Sequence, residues 1–275
     1  MWQVGVMRPP DSTRPRLRKR EVVFAVAAGA AAAGGAALIL SDSVGVGVDV
    51  GERSEVGAAR AATYTVGEFD EISTSGPQDV VITYGETPSV RAEGSPQALA
   101  QLEAVVEGDT LTIRPKRGFN WGNWRRLSGA TFYVTVPKLE AVAQAGSGDV
   151  RIDRVQGESF EGQIAGSGEL EIGLLEVERA NFNIGGGGSI SARGTARLAS
   201  VSIGGSGDVD ASGLQSENAS VSIAGSGDVD LMVTQEANVS IMGSGNVDIS
   251  GPGRCSVTRF GSGDVSCEGG GGTDD

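Results

Sequence analysis

The chain of 275 residues has no histidine at all, two cysteines, and an aromatic share of only 5%. Without histidine it lacks the commonest general base and the commonest zinc ligand, which excludes His-dependent triads and metal sites of the HExxH class. Basic residues are scarce once the chain is under way. Residues 1–20 hold six Lys/Arg against one acid, and the remainder holds sixteen against thirty-four, a net charge of −18. An acidic body repels a phosphate backbone, so no nucleic-acid partner is expected. What the chain has in excess is glycine, 44 residues. There is no every-third-residue period, which excludes collagen, and Val/Ile/Leu alternate around the glycines, which argues against disorder.

The basic N-terminal segment, residues 1–21, runs into Val22–Leu40, nineteen residues drawn only from Ala, Gly, Val, Phe, Leu and Ile. At 1.5 Å per residue such a helix nearly crosses a ~30 Å hydrocarbon core. The cluster Arg14–Arg20 predicts that the N-terminus stays cytoplasmic and that everything beyond Leu40 is exported. Two outcomes follow. The segment is retained as an inner-membrane anchor with the domain in the periplasm, or it is cleaved as a signal and the domain is released. Residues 41–62, small and aperiodic, read as a linker to a domain over 63–268, and residues 269–275 read as a disordered tail.

The phrase GSGDVD occurs at Gly205–Asp210 and again at Gly225–Asp230, with relatives throughout the second half. The first glycine of each copy falls at 146, 166, 186, 205, 225, 243 and 261. A period near twenty residues is the signature of a repeat architecture. Ahead of each corner stand apolar residues in alternation, such as Ala219, Val221 and Ile223, and behind it stands a second pair, such as Val229 and Leu231. This period of two reads as two short strands per repeat, apolar on one face. Stacking the repeats in parallel, about 4.8 Å per step, sets like residues on like along an interior column. The fold expected is all-β: a parallel β-helix-like solenoid over 141–268, an N-terminal β-rich capping segment over 63–140, and one hydrophobic helix before both. Glycine then serves the corner, where φ > 0 is needed.

Within 63–140, Ser95-Pro96 reads as an N-cap and N1 pair opening a short helix through Leu102. Val105–Ile113 around Glu107-Gly108-Asp109 reads as a hairpin, and Thr131–Val136 as a strand. Ser75–Val80 is an imperfect echo of the repeat.

Phe69-Asp70-Glu71-Ile72, Gly76–Ile82 (GPQDVVI), Val136–Leu139 (VPKL) and the run of GSGDV phrases from Gly146 to Val265 together resemble the "putative auto-transporter adhesin, head GIN domain" family of bacterial envelopes. The resemblance spans roughly residues 66–267. It implies a β-helical envelope domain concerned with adhesion, and it brings no catalytic residues.

Three groups of residues are candidate sites. The acids of the repeat form two expected columns, of which Asp208, Asp210, Asp228, Asp230 and Asp248 are candidate ligands for Ca²⁺, a hard cation that takes oxygen donors. The alternative is that they cap the glycine turns by Asx-type hydrogen bonds and keep a long sheet soluble. The stretch Arg114–Arg126 gathers five basic residues and two Trp. Arg117, Phe119, Trp121, Trp124, Arg125 and Arg126 suit a sugar face, an anionic glycan or a lipid headgroup. Alternatively, the rings seal the end of the solenoid. Cys255 and Cys267, in an exported domain, suggest a disulfide that clips the last rung, against a reading in which Cys267 only fills an inward position.

No cofactor is implied. The expected partners are an envelope glycan or another envelope protein, with the membrane engaged through the N-terminal helix. The leading expectation is a non-enzymatic adhesive or interaction scaffold. The alternative is a carbohydrate-active β-helix protein that binds or cleaves polysaccharide with paired carboxylates. An enzyme would need one rung that breaks the repeat with a singular cluster, whereas here the acids recur evenly.

Overall fold

The computed structural model describes residues 60–64, 66–118, 129–269 and 273–274. The expected membrane segment, 22–40, lies outside them. Among the described residues no helix is long and apolar enough to cross a membrane. The described residues form an all-β solenoid of about six turns with almost no helix.

The regular part is built from β8 (Ala141–Gly146), β9 (Val150–Gly166), β10 (Glu169–Gly186), β11 (Ser189–Gly205), β12 (Asp208–Gly225) and β13 (Val229–Gly243). It closes with β14 (Val247–Ser250), β15 (Arg254–Gly261), β16 (Val265–Cys267) and β17 (Thr273–Asp274). From β8 onward each strand pairs in parallel with its equivalent one turn later. Where two short strands per repeat were expected, β9 to β12 each run unbroken for 17 or 18 residues. Their alternation slips midway, where the chain bends without leaving the ladder. Between the two apolar pairs lies a third inward set that the repeat pattern did not reveal, with Val155 against Leu175 and Val177 against Ala196.

The interior is a set of columns. One runs Ile164, Ile184, Ile203, Ile223 and Ile241, each in register with the next and almost fully buried. Each such side chain contributes roughly 1.5–3 kcal/mol of burial free energy before chain entropy is subtracted. Neighbouring columns trade volume between rungs. Phe160 is followed by Gly162 in one turn, and the registered pair in the next turn is Ala180 and Phe182. A large residue over a small one, then the reverse, fills the space without a void.

The first part of the chain is β1 (Arg60–Tyr64), β2 (Glu71–Gly76), β3 (Asp79–Tyr84), β4 (Ser89–Gly94), α1 (Pro96–Gln101), β5 (Leu102–Glu107), β6 (Thr110–Pro115) and β7 (Thr131–Val136). Ser95 caps α1, its hydroxyl accepting from the Ala98 amide at 3.1 Å, and Pro96 opens the helix. β5 and β6 form the antiparallel hairpin. The echo at Ser75–Val80 has a structural meaning, because β2 and β3 are themselves a rung. β2 lies parallel between β6 and β8, and β3 lies parallel between β7 and β9. The chain therefore lays this rung first, places β6 and β7 on its far side, and returns to continue the stack. Beyond β7 the pairing turns antiparallel, through β4 to β1. β1 takes up the last residues of the stretch expected to be linker. β17 pairs with Ser256–Val257 inside the stretch expected to be a disordered tail.

Candidate functional site

The repeated corner is built by backbone contact between rungs. Gly146, Gly166, Gly186, Gly205, Gly225, Gly243 and Gly261 all have φ between +137° and +149°. A Cβ on Gly225 would stand 1.9 Å from the Gly205 carbonyl oxygen, and the other six would meet the preceding turn at 1.9–2.4 Å. The second glycine of the phrase is as constrained, since a Cβ on Gly227 would lie 2.1 Å from the Gly207 oxygen. The serine between them projects into solvent while its amide bonds the turn below, as Ser226 N–H does to Gly205 at 2.8 Å. The phrase is a corner in which both glycines answer to the rung beneath.

The acids after the corner also reach between turns. Asp208 Oδ1 accepts from the Asp228 amide at 3.0 Å, and Asp228 Oδ1 from the Asn246 amide at 2.9 Å. Asn246 Oδ1 accepts from the Asp264 amide at 3.1 Å, and Asp79 serves Asp149 in the same way at 3.0 Å. At the corner these bonds reach between rungs, whereas Asp210 Oδ1 accepts locally, from the Ser212 amide at 3.2 Å and its hydroxyl at 2.7 Å. A carboxylate one turn down satisfies an amide that the bend takes out of the ladder. Asn246 does the same work without charge and donates its own amide to Asp228.

A second acidic row lies outside this one. Asp210, Asp230 and Asp248 are in direct register, continued by Ser266. Partial burial raises the Asp230 pKa, and the charges of Asp210, Asp248, Asp228 and Asp208 add to the shift. Asp228, Asp230, Asn246, Val247, Asp248, Asp264 and Ser266 line an open depression of about 320 Å³. Among the described residues no three Asp, Glu, Cys or His side chains converge to hold a metal ion. The five candidate calcium ligands stand in two rows along the outside of the stack.

Phe119, Trp121, Trp124, Arg125 and Arg126 lie outside the described residues, and Arg117 is exposed just before them. The sulfurs of Cys255 and Cys267 are bonded, with Cα atoms 6.5 Å apart. Cys255 continues the column of Ala237, and Cys267 that of Ile249.

One feature went unread in the sequence. The outward positions of the strand segment before each corner make a face three residues wide. It runs from Asn181, Asn183 and Gly185 on one turn to Ser256, Thr258 and Phe260 four turns on, each position in register with the next. Residues 141–275 contain nineteen Asp/Glu and seven Lys/Arg, and none of them falls on these fifteen positions. In the column next to the corner the residues are small, Gly185, Gly204 and Ala224, until Met242 and Phe260. Those two are 65% and 67% exposed. The missed signal was the lack of charge at a fixed offset in five successive turns, from Asn181 to Phe260, in residues that passed for spacers between apolar ones; the turn before them carries Glu161 in register with Asn181.

A family model described as "Putative auto-transporter adhesin, head GIN domain" matches residues 68–253. Among solved structures, the chain is similar to a "putative adhesin" from Bacteroides fragilis, at 20% identity and a TM-score of 0.69, covering 77% of this chain and 97% of that one. It is also similar to a "putative lipid binding protein" from Parabacteroides distasonis, at 23% identity and a TM-score of 0.62, covering 76% and 96%. A "putative adhesin" from the same organism gives 21% and 0.58 over 76% and 97%. At these identities the likeness is one of fold. No curated protein matches the chain in sequence.

Proposed function

The chain belongs to the "Putative auto-transporter adhesin, head GIN domain" family, and we propose that it is a non-enzymatic, membrane-anchored envelope domain whose outer faces bind. The observation that carries this reading is the in-register repetition of the surface. Acids recur turn after turn, and several are already committed to amides of the next rung. Catalysis needs groups placed for one reacting atom, which a uniform row does not provide. A row does suit an extended partner met at many equivalent points.

The basic segment 1–21 and the apolar stretch 22–40 would hold the chain in the inner membrane, with the solenoid outside the cytoplasm. The Cys255–Cys267 bond fits an oxidising compartment. The antiparallel strands β1, β4 and β5 would cap the first end of the stack, and the cystine would clip the other. Protease added to spheroplasts tests this reading, and the expected outcome is loss of the solenoid while cytoplasmic markers survive. Protection of the solenoid until the membrane is lysed would overturn it.

A second reading, polysaccharide cleavage, is favoured by the depression around Asp230, a carboxyl with a raised pKa among other carboxylates. Release of new reducing ends from an acidic polysaccharide, abolished by Asp230→Asn, would establish it in place of the first.

A further inference from the structure

We propose that the uncharged face ahead of the corners is a docking surface for a neutral polysaccharide chain lying along the solenoid axis. This rests on the adhesive reading above and names the class of partner.

Charge selects first. Residues 141–275 carry nineteen acids against seven bases. An anionic polymer is repelled by this half of the domain, and a cationic one is drawn to the rows of Asp210, Asp230 and Asp248 on another face. Only an uncharged partner has the neutral face as its preferred place.

The chemistry of the face selects next. From Ser200 and Ser202 through Ser222, Asn238 and Ser240, its polar groups are hydroxyls and amides, which both donate and accept. Sugar hydroxyls are the same two-way groups, so every contact can be matched in either sense. A protein partner is less suited, because Ser and Ala are depleted from protein interfaces while aromatic residues and Arg are enriched.

Geometry selects last. Equivalent side chains repeat at about 4.8 Å along the axis and about 6.6 Å across it, so the five turns offer a flat field of roughly 19 by 13 Å. A linear polymer laid along the axis meets the same trio of groups at each turn, and weak contacts sum through repetition. At the last two turns the small residues of the third column give way to Met242 and Phe260. Both are more than half exposed, at 65% and 67%. A bare phenyl ring beside hydroxyls suits the C–H face of a sugar ring, and leaving it in water has no packing return.

The test uses the full chain, in detergent, and particulate cellulose, chitin and β-1,3-glucan as neutral probes. Polygalacturonate is the anionic control, and native envelope fragments form a separate arm. The expected result is retention on at least one neutral polymer and none on polygalacturonate. Ser222→Arg with Ser240→Arg should weaken retention at least tenfold, and Phe260→Ser several-fold. All these sites point outward, so melting should stay within about 2 °C of native; if the double variant fails to fold, Phe260→Ser alone decides. No retention on any neutral polymer, or equal retention by the variants, would overturn the proposal. Retention on envelope fragments alone would leave the adhesive reading standing and remove this one. Retention on neither would remove both.

Discussion

Replacing Gly225 by alanine asks the corner to accept a Cβ where the rung below already has an oxygen. The added carbon would stand 1.9 Å from the Gly205 carbonyl oxygen, and the backbone there has φ +147°. A non-glycine residue held in such a region costs about 1–3 kcal/mol. Relief of the overlap requires the two turns to part by an ångström or more. That breaks the 2.8 Å bond from Ser226 N–H to Gly205 and leaves a donor and an acceptor unmet, about 1–3 kcal/mol further. The expected loss is therefore about 2–6 kcal/mol, a large part of an ordinary domain's stability. For a domain of this size it corresponds to a fall in melting temperature of roughly 4–24 °C. Thermal melting followed by far-ultraviolet circular dichroism reads it. Gly187→Ser is the matched control: it lies between the same two glycines of its own corner, its added Cβ meets nothing within 4 Å, and it restores the serine of the repeat. It should stay within about 0.5 kcal/mol of native. If Gly225→Ala melted within about 2 °C of native, the claim that these glycines are imposed by backbone stacking would be wrong.

Other consequences follow from the same geometry. Asp230→Asn should stabilise the domain at neutral pH, because it removes repulsion of about 0.9 kcal/mol in water from each of two registered neighbours, less whatever salt screens. The Asp230 pKa is raised in the fold, so native stability falls as pH climbs from the ordinary carboxyl value of 3.8 through the raised one. The gain from the variant should accordingly disappear in acid, and a gain that persists below that value would contradict the electrostatic cause. Reducing the Cys255–Cys267 bond, which closes a loop of sequence separation 12, should cost about 3 kcal/mol on the chain-entropy model. Unchanged melting with and without reductant would refute it. Calcium at millimolar levels should raise the melting temperature no more than magnesium does, since the carboxylates of one row are spent on amides. A calcium-specific rise would assign the rows to metal.

The period, the paired inward residues and the corner glycines were all readable in the sequence, because a stack repeats its physical demands at a fixed interval. Three things were not. The middle inward set, such as Val155 and Leu175, is too short and too interrupted by Gly194 to show a period of its own. The place of β2 and β3 could not be read because the chain lays their rung before its neighbours on both sides, so sequence order and stacking order differ. The inter-rung reach of Asp208 and Asp228 was not readable, since an Asx turn and an inter-rung cap use the same residue at the same offset. Only the register, Asp208 beneath Asp228, separates them. The neutral face was hidden for a related reason: serine between valines reads as strand filler until five such turns are set edge to edge.

Retention of the full chain on the neutral polymer it binds best, measured for Asp210→Asn/Asp230→Asn/Asp248→Asn beside Ser222→Arg/Ser240→Arg, separates the outer acid row from the neutral face. Undiminished retention by the aspartate variant and at least a tenfold loss by the serine variant is the result this account predicts. The reverse pattern would contradict it and return function to the acids.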